Sequence, residues 1–249
     1  MDQSGTTYFT AIQVQVDKHL SNNLNFMGNI ELPRLYDNLV TTVNKYNQKV
    51  NWGEDTTGSF ESKATVIYVL PFGHGQRWLD RGWADKLAGG WQVGGILNYN
   101  NSQPLAITQS GESFINSTNR PNINPLASLW SGNYNKITQF FEGKIPTAPL
   151  LFNTSAYSNT GSQYVLGNAN RTYNSVRGPW YPSENLNVIK KIHLTEGTSF
   201  ELRVDYFNAL NRVQAPFPTV TLGSSNFGQV TTKFTATNRE GQAELAFNF

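Results

Sequence analysis

The sequence predicts an all-β chain of antiparallel strands joined by short turns and long polar loops. Three observations carry that prediction. Apolar residues recur at every second position in stretch after stretch, the period of a strand with two unlike faces. Turn-forming clusters such as Ser21-Asn22-Asn23, Gly73-His74-Gly75 and Thr195-Glu196-Gly197 separate those stretches. Finally, 14% charged residues, 21 Gly, 6 Trp, 11 Tyr and 15 Phe in 249 residues describe a polar chain rich in large rings. The same numbers exclude several classes. With 19 Lys+Arg against 17 Asp+Glu the net charge is +2, which gives no case for nucleic acid. Apolar runs such as residues 66–70 fall far short of the ~20 residues a spanning helix needs. The absence of Cys excludes a disulfide scaffold, thiolate zinc sites and a cysteine nucleophile. Low charge with 13% aromatics argues against disorder.

The elements follow in order. In residues 7–19, Tyr8, Ile12, Val14 and Val16 share one parity, and Gln13, Gln15 and Asp17 the other. After the turn at 21–23, Leu24, Phe26, Gly28 and Ile30 repeat every second position, so the pair reads as a hairpin. Residues 32–58, with Pro33 and several Asn, read as a loop with ragged strand ends. Residues 64–70 form a compact strand stopped by Pro71. A short helical turn is expected within 79–89. Trp91, Val93, Gly95, Leu97 and Tyr99 then alternate with Gln92, Gly94, Ile96 and Asn98, and a turn at 100–104 leads into 105–109. Residues 110–160 carry Pro121, Pro125, Pro146 and Pro149 with little periodicity and read as a long loop region with a short helix near 137–141. Alternation returns at Leu186, Val188, Ile192 and Leu194, at Phe200, Leu202, Val204 and Tyr206, and at Ala243, Leu245, Phe247 and Phe249. A spanning strand with its share of turn and loop takes ~25 residues, so roughly 8–10 strands are expected.

Alternation alone does not separate a soluble sheet from a membrane barrel, because both put apolar side chains on one face. Two features favour the barrel. Aromatics gather near strand ends (Tyr8, Trp91, Tyr99, Phe200, Tyr206, Phe207, Phe247), as in the girdles of a barrel in lipid. The last strand ends on Phe249, where a barrel-inserting machine could read an open strand edge. Charges inside strands, such as Glu201, Arg203 and Asp205, suit a wet lumen and a solvent face equally.

The terminal stretch Glu244-Leu245-Ala246-Phe247-Asn248-Phe249 resembles the C-terminal β-signal of bacterial outer-membrane proteins. More broadly, the chain resembles the C-terminal barrel part of Oar-like TonB-dependent receptors, the group with an N-terminal carboxypeptidase-regulatory-like domain. The residues that carry the resemblance run in the family's order. They include Tyr68-Val69-Leu70-Pro71-Phe72-Gly73-His74-Gly75-Gln76-Arg77-Trp78 and Leu87-Ala88-Gly89-Gly90-Trp91-Gln92-Val93-Gly94-Gly95-Ile96. Arg120-Pro121-Asn122, Phe152-Asn153-Thr154-Ser155-Ala156-Tyr157, Leu166-Gly167-Asn168-Ala169-Asn170-Arg171 and Arg177-Gly178-Pro179 follow. Leu202 to Arg212 and Leu222 to Val230 close the series, so the match covers roughly residues 64–249.

The resemblance implies an antiparallel transmembrane segment of a barrel of about 22 strands, placed in the bacterial outer membrane. It implies uptake of a large or scarce solute, driven by energy passed from the inner membrane to a plug. The expected partners are outer-membrane lipid, the barrel-assembly machinery, the plug domain and the energy-coupling protein. Residues 1–249 show no plug domain and no basic-then-apolar signal peptide. An unclosed sheet edge costs several kcal/mol per unpaired backbone group in lipid. The chain is therefore expected to be the C-terminal piece of a longer protein, with Met1 internal or a mispredicted start.

Candidate sites are few. His19, His74 and His193 are expected to lie far apart, and no metal, nucleophile or cofactor motif stands out, so neither a cofactor nor enzymatic chemistry is expected. Gly73-His74-Gly75 reads as a tight turn whose glycines supply positive φ rather than as a phosphate loop. Glu201, Arg203 and Asp205 are candidates for a lumen-facing polar ladder, the alternative being plain cross-strand charge pairing. Trp130, Tyr134, Trp180 and Tyr181, with Phe140 and Phe141, sit in predicted loops and could stack on a solute; alternatively they pack the loops together. Leu245, Phe247 and Phe249 are the candidate assembly signal. Two other readings compete: a small self-contained barrel acting as adhesin or pore, and a soluble all-β carbohydrate-binding module.

Overall fold

A computed structural model describes residues 5–20, 23–38, 48–55, 59–79, 81–111, 113–114, 117–118, 120–162, 164–195, 197–232 and 238–249. Seven long strands form one antiparallel sheet: β1 (Thr7–Leu20), β2 (Leu24–Asp37), β3 (Glu61–Val69), β4 (Trp91–Asn100), β5 (Tyr181–His193), β6 (Ser199–Phe207) and β7 (Glu240–Asn248). Each pairs with the next, and the two-residue strand Gly53–Glu54 adds to the end of β2, which makes the sheet eight-stranded. β1 and β7 are outermost, and among the described residues no ladder joins them.

The register explains why alternation was so clear in the sequence. Residues directly opposite in a ladder point to the same face. One row runs Phe26↔Val66, Val66↔Gly95, Gly95↔Leu186 and Leu186↔Tyr206. Another runs Tyr68↔Val93, Val93↔Val188, Val188↔Val204 and Val204↔Ala243. These rows build one broad apolar face. The other face carries Asn29↔Lys63, Lys63↔Asn98, Arg203↔Glu244 and Asp205↔Gln242. Away from its two ends the apolar face is largely uncovered by protein: Ile12 is 60% exposed and Leu245 65%. Where that face lacks a side chain, a neighbour fills the gap; the Phe26 ring lies over Gly28, 2.9 Å from where a Cβ would stand.

The connections divide by length. The strand ends joined by the β1–β2, β3–β4 and β5–β6 connections lie at one end of the sheet, and those joined by the β2–β3 (38–60), β4–β5 (101–180) and β6–β7 (208–239) connections at the other. Ser21, Asn22 and Glu196 of the predicted turns lie outside the described residues. The short-turn end holds α1 (Gly82–Ala88), within the expected helical turn. Gly73 and Gly75 have φ +98° and +75°, as a tight turn requires, and a Cβ on Gly73 would run into Gly89.

The hydrophobic core sits in the long connections, not in the sheet. Ile107, Ile137, Leu151, Phe152, Ala156, Tyr157, Val176, Phe227 and Val230 are all buried there. Phe152 meets Trp130, Tyr157 and Phe227 at ring distances of 5.4, 6.0 and 5.2 Å. The two longest connections interlock, with Thr108–Gln109 parallel to Thr221–Leu222 and Leu151 N–H donating to the Gly228 carbonyl at 2.8 Å.

Three expectations need correction. β2 does not end near residue 32 but continues to Asp37 through Pro33, opposite Ala11. Its ladder to β3 ends at Glu31↔Glu61, so Pro33 has a long strand on one side only and its missing N–H is tolerated. The helix predicted near 137–141 is α2 (Tyr134–Phe141), because the Asn133 side chain caps it by accepting from Asn135 N–H at 2.8 Å. Of residues 105–109 only Thr108–Gln109 forms a strand, since Leu105 is held by the Val176 carbonyl and Ile107 enters the loop core.

Candidate functional site

The polar face is built by the period of β6 and β7. Glu201, Arg203 and Asp205 share it, as expected. Arg203 Nε donates to both Asp205 carboxylate oxygens at 2.9 and 3.0 Å, and Gln242 Nε2 donates to Oδ2 at 3.1 Å. Glu201 stands opposite Lys191, and Arg203 opposite Glu244. The signs alternate, so like charges do not meet across the ladder. Further across, the Asn187 amide fills the space where Gly94 has no side chain; a Cβ there would be 2.2 Å from Oδ1.

At the short-turn end this face opens into a cleft of about 730 Å³, lined among others by Phe72, His74, Asp85, Lys191, His193 and Glu201. His74 and His193 thus share one cleft, against the expectation that all histidines lie apart. The 70–90 connection crosses beneath the end of β5, a contact that sequence distance hides. Among the described residues no group of His, Asp and Glu gathers as a metal would need.

At the other end, arginines join the long connections to the first hairpin. Arg171 Nη1 pairs with Asp37, and Arg171 Nη2 with Asp55 at 2.9 Å. Arg177 Nη2 pairs with Glu54, while its Nη1 donates to the Ser102 carbonyl at 3.0 Å. Arg120 donates to Asn51 Oδ1 at 3.3 Å and to the Ala169 carbonyl at 3.4 Å. Burial, with Arg171 nearby, lowers the Arg120 pKa to about 10, so it stays charged at neutral pH. Sequence reasoning missed this joint, although all three arginines lie in stretches that carried the family resemblance. It also missed Glu184, which register places on the apolar face. Buried at its end, Glu184 is matched by Arg212 Nη2 at 3.1 Å and the Tyr99 hydroxyl at 3.1 Å.

The predicted loop aromatics separate into two pairs. Trp130 and Tyr134 meet at 5.6 Å with their rings tilted by 44° inside the loop assembly, and their polar atoms donate to the carbonyls of Gly132 (2.9 Å) and Arg177 (3.0 Å). Trp180 stays exposed, 5.6 Å from the Phe60 ring. Tyr181 is not a loop residue: it opens β5, paired with Asn100, and faces a cleft of about 360 Å³ with Ser59 and Phe217. Leu245 and Phe247 lie on the apolar face of β7; Phe249 follows at 95% exposure, 6.1 Å from Phe247, which is 5.4 Å from Phe200.

An antiparallel meander with an uncovered apolar face, a charged inner face and its long connections at one end is the wall of an outer-membrane β-barrel. The chain belongs to the outer membrane beta barrel domain family, whose model matches residues 1–242, and its place is the bacterial outer membrane. A search of curated proteins and a search of solved structures each returned no match. Among the described residues no helix is long and apolar enough to cross a membrane; strands do the crossing.

Proposed function

We propose that this chain is wall, outer loops and assembly signal of a TonB-dependent receptor of the Oar-like group. Such a receptor imports a solute through a barrel of about 22 strands closed by a plug. The observation that supports this most is the width of charged wall without a closing ladder: among the described residues no pairing joins β1 to β7, while polar pairs recur on the inner face from β2 to β7. A small barrel fills its interior with side chains, whereas Glu201, Arg203, Asp205 and Lys191 suit a lumen that receives a plug and water. The residue series shared with that group supports the same reading. In it, Glu201, Arg203 and Asp205 contact plug or solute, the loop residue Trp180 and Tyr181 at the start of β5 are the aromatics that meet solute, and Leu245, Phe247 and Phe249 are read by the assembly machinery. The energy-coupling protein acts through the plug, and this chain performs no covalent chemistry.

The test is the native size of the protein, read by immunoblot of membrane fractions with antibody to residues 110–160. The receptor reading expects an outer-membrane band several times heavier than 27.8 kDa. A band near that mass in the same fraction would instead identify a small self-contained barrel, an adhesin or pore.

A further inference from the structure

α1 has seven residues and buries none of them. A helix so short does not sustain itself in water. It is held by its carbonyl end. Trp91 Nε1 and Lys190 Nζ each donate to the Leu87 carbonyl at 3.0 Å, and Lys190 also reaches the Gly89 carbonyl. A cation at that end complements the helix dipole. Trp91 and Lys190 stand opposite each other in the β4–β5 register, on the apolar outer face with Val93 and Val188. The helix therefore hangs from the lower edge of the lipid-facing wall.

Its two sides differ. Asp85 and Lys86 line the inner cleft, whereas Trp83 and Leu87, one turn apart, do not. Trp83 is 77% exposed and Leu87 64%, and Trp78 and Leu79 just before them are each 51% exposed. The Arg77 guanidinium lies 5.5 Å over the Trp78 ring, and Arg81 precedes the helix on the surface. Large rings and aliphatics beside arginines, at the level where strands leave the hydrocarbon, are the composition of an interfacial segment. Through its Leu87 carbonyl the helix is bonded to Trp91 and Lys190 of a strand face already assigned to lipid, and it lies at the short-turn end, the periplasmic end of such barrels.

We infer that residues 77–79 and α1 form an in-plane anchor in the periplasmic leaflet. Trp78, Leu79, Trp83 and Leu87 enter the boundary between headgroups and acyl chains, and Arg77 meets phospholipid phosphate. The inference needs the barrel family only, so it stands whether or not the receptor reading does.

The test uses the full-length protein in phosphatidylethanolamine–phosphatidylglycerol vesicles beside its Trp83→Phe variant, so that the difference in emission reports Trp83 while Trp78 and Trp91 stay in place. Phospholipid brominated near the carbonyl end of its chains should quench most of the Trp83 emission. Bromine near the methyl end and aqueous acrylamide should quench little. Strong acrylamide quenching without a bromine effect puts the helix in water and overturns the anchor. Weak quenching by every probe puts Trp83 against protein and also overturns it. If that variant does not fold, a nitroxide on Trp83→Cys reads the same depth, with any cysteine outside this Cys-free chain replaced by Ser. Preferential access by oxygen supports the anchor, and preferential access by an aqueous nickel complex rejects it.

Discussion

Arg171 and Asp55 are 116 residues apart in the chain, yet Arg171 Nη2 and Asp55 Oδ2 are 2.9 Å apart in space. The same guanidinium pairs with Asp37, so one side chain ties the long 101–180 connection both to the end of β2 and to the 38–60 connection. Side-chain exposures are only 11% for Arg171 and 7% for Asp37, so neither charge is left to water.

Removing that cation takes the guanidinium away from both Asp37 and Asp55. Arg171→Met should loosen the outer loops by about 3–5 kcal/mol, the usual cost of breaking a buried pair from one side. Surface protease on whole cells should then cut the outer connections faster than in the wild type. The gel shift between heated and unheated barrel should not change, because no wall strand is touched.

Alkali should open the same assembly. Burial raises the pKa of Tyr134, Tyr157 and Tyr173 above the ordinary 10. The folded loops favour the neutral phenol, while in the opened loops each ionises near its ordinary value. Their stabilisation is therefore complete below pH 10 and is lost as pH rises beyond it. Tyrosinate absorbance and protease sensitivity should rise together above that pH. Ionisation of these phenols with the loops still resistant would contradict the burial argument.

The two faces of the wall should answer differently to substitution. Val188 lies mid-strand on the lipid face, between Val93 and Val204. Val188→Arg should cost ~2–4 kcal/mol in lipid. Glu201→Gln, on the polar face, should stay within ~0.5 kcal/mol. Urea unfolding of the full-length protein in vesicles measures both, and equal costs would refute the assignment of faces.

Assembly gives a further contrast. Phe249 contacts little of its own chain, so Phe249→Ala should leave the folded wall unchanged while lowering the amount of full-length protein inserted in the outer membrane. Deleting β7 should lower it more. Normal insertion of both variants would remove the assembly role.

The strands and their faces were legible in the sequence because a period of two is a local property. Tyr8 to Val16, Phe200 to Tyr206 and Ala243 to Phe247 declare their faces without any partner. Glu201, Arg203 and Asp205 were found together for the same reason. Pro33 misled because its tolerance depends on how far β3 extends, which only the neighbouring strand decides.

Residues 110–160 looked irregular because their order is not periodic. Leu151 and Phe152 meet Phe227 and Val230 from another connection, and Arg171 and Arg177 find acids in a third. The sequence by itself determined which residues share the apolar face and which share the polar one, since strand geometry imposes that alternation residue by residue. Only the tertiary structure decided where the core lies, which charges pair, and that His74 meets the cleft of His193. Those contacts join segments far apart in the chain, and nothing local selects the partner.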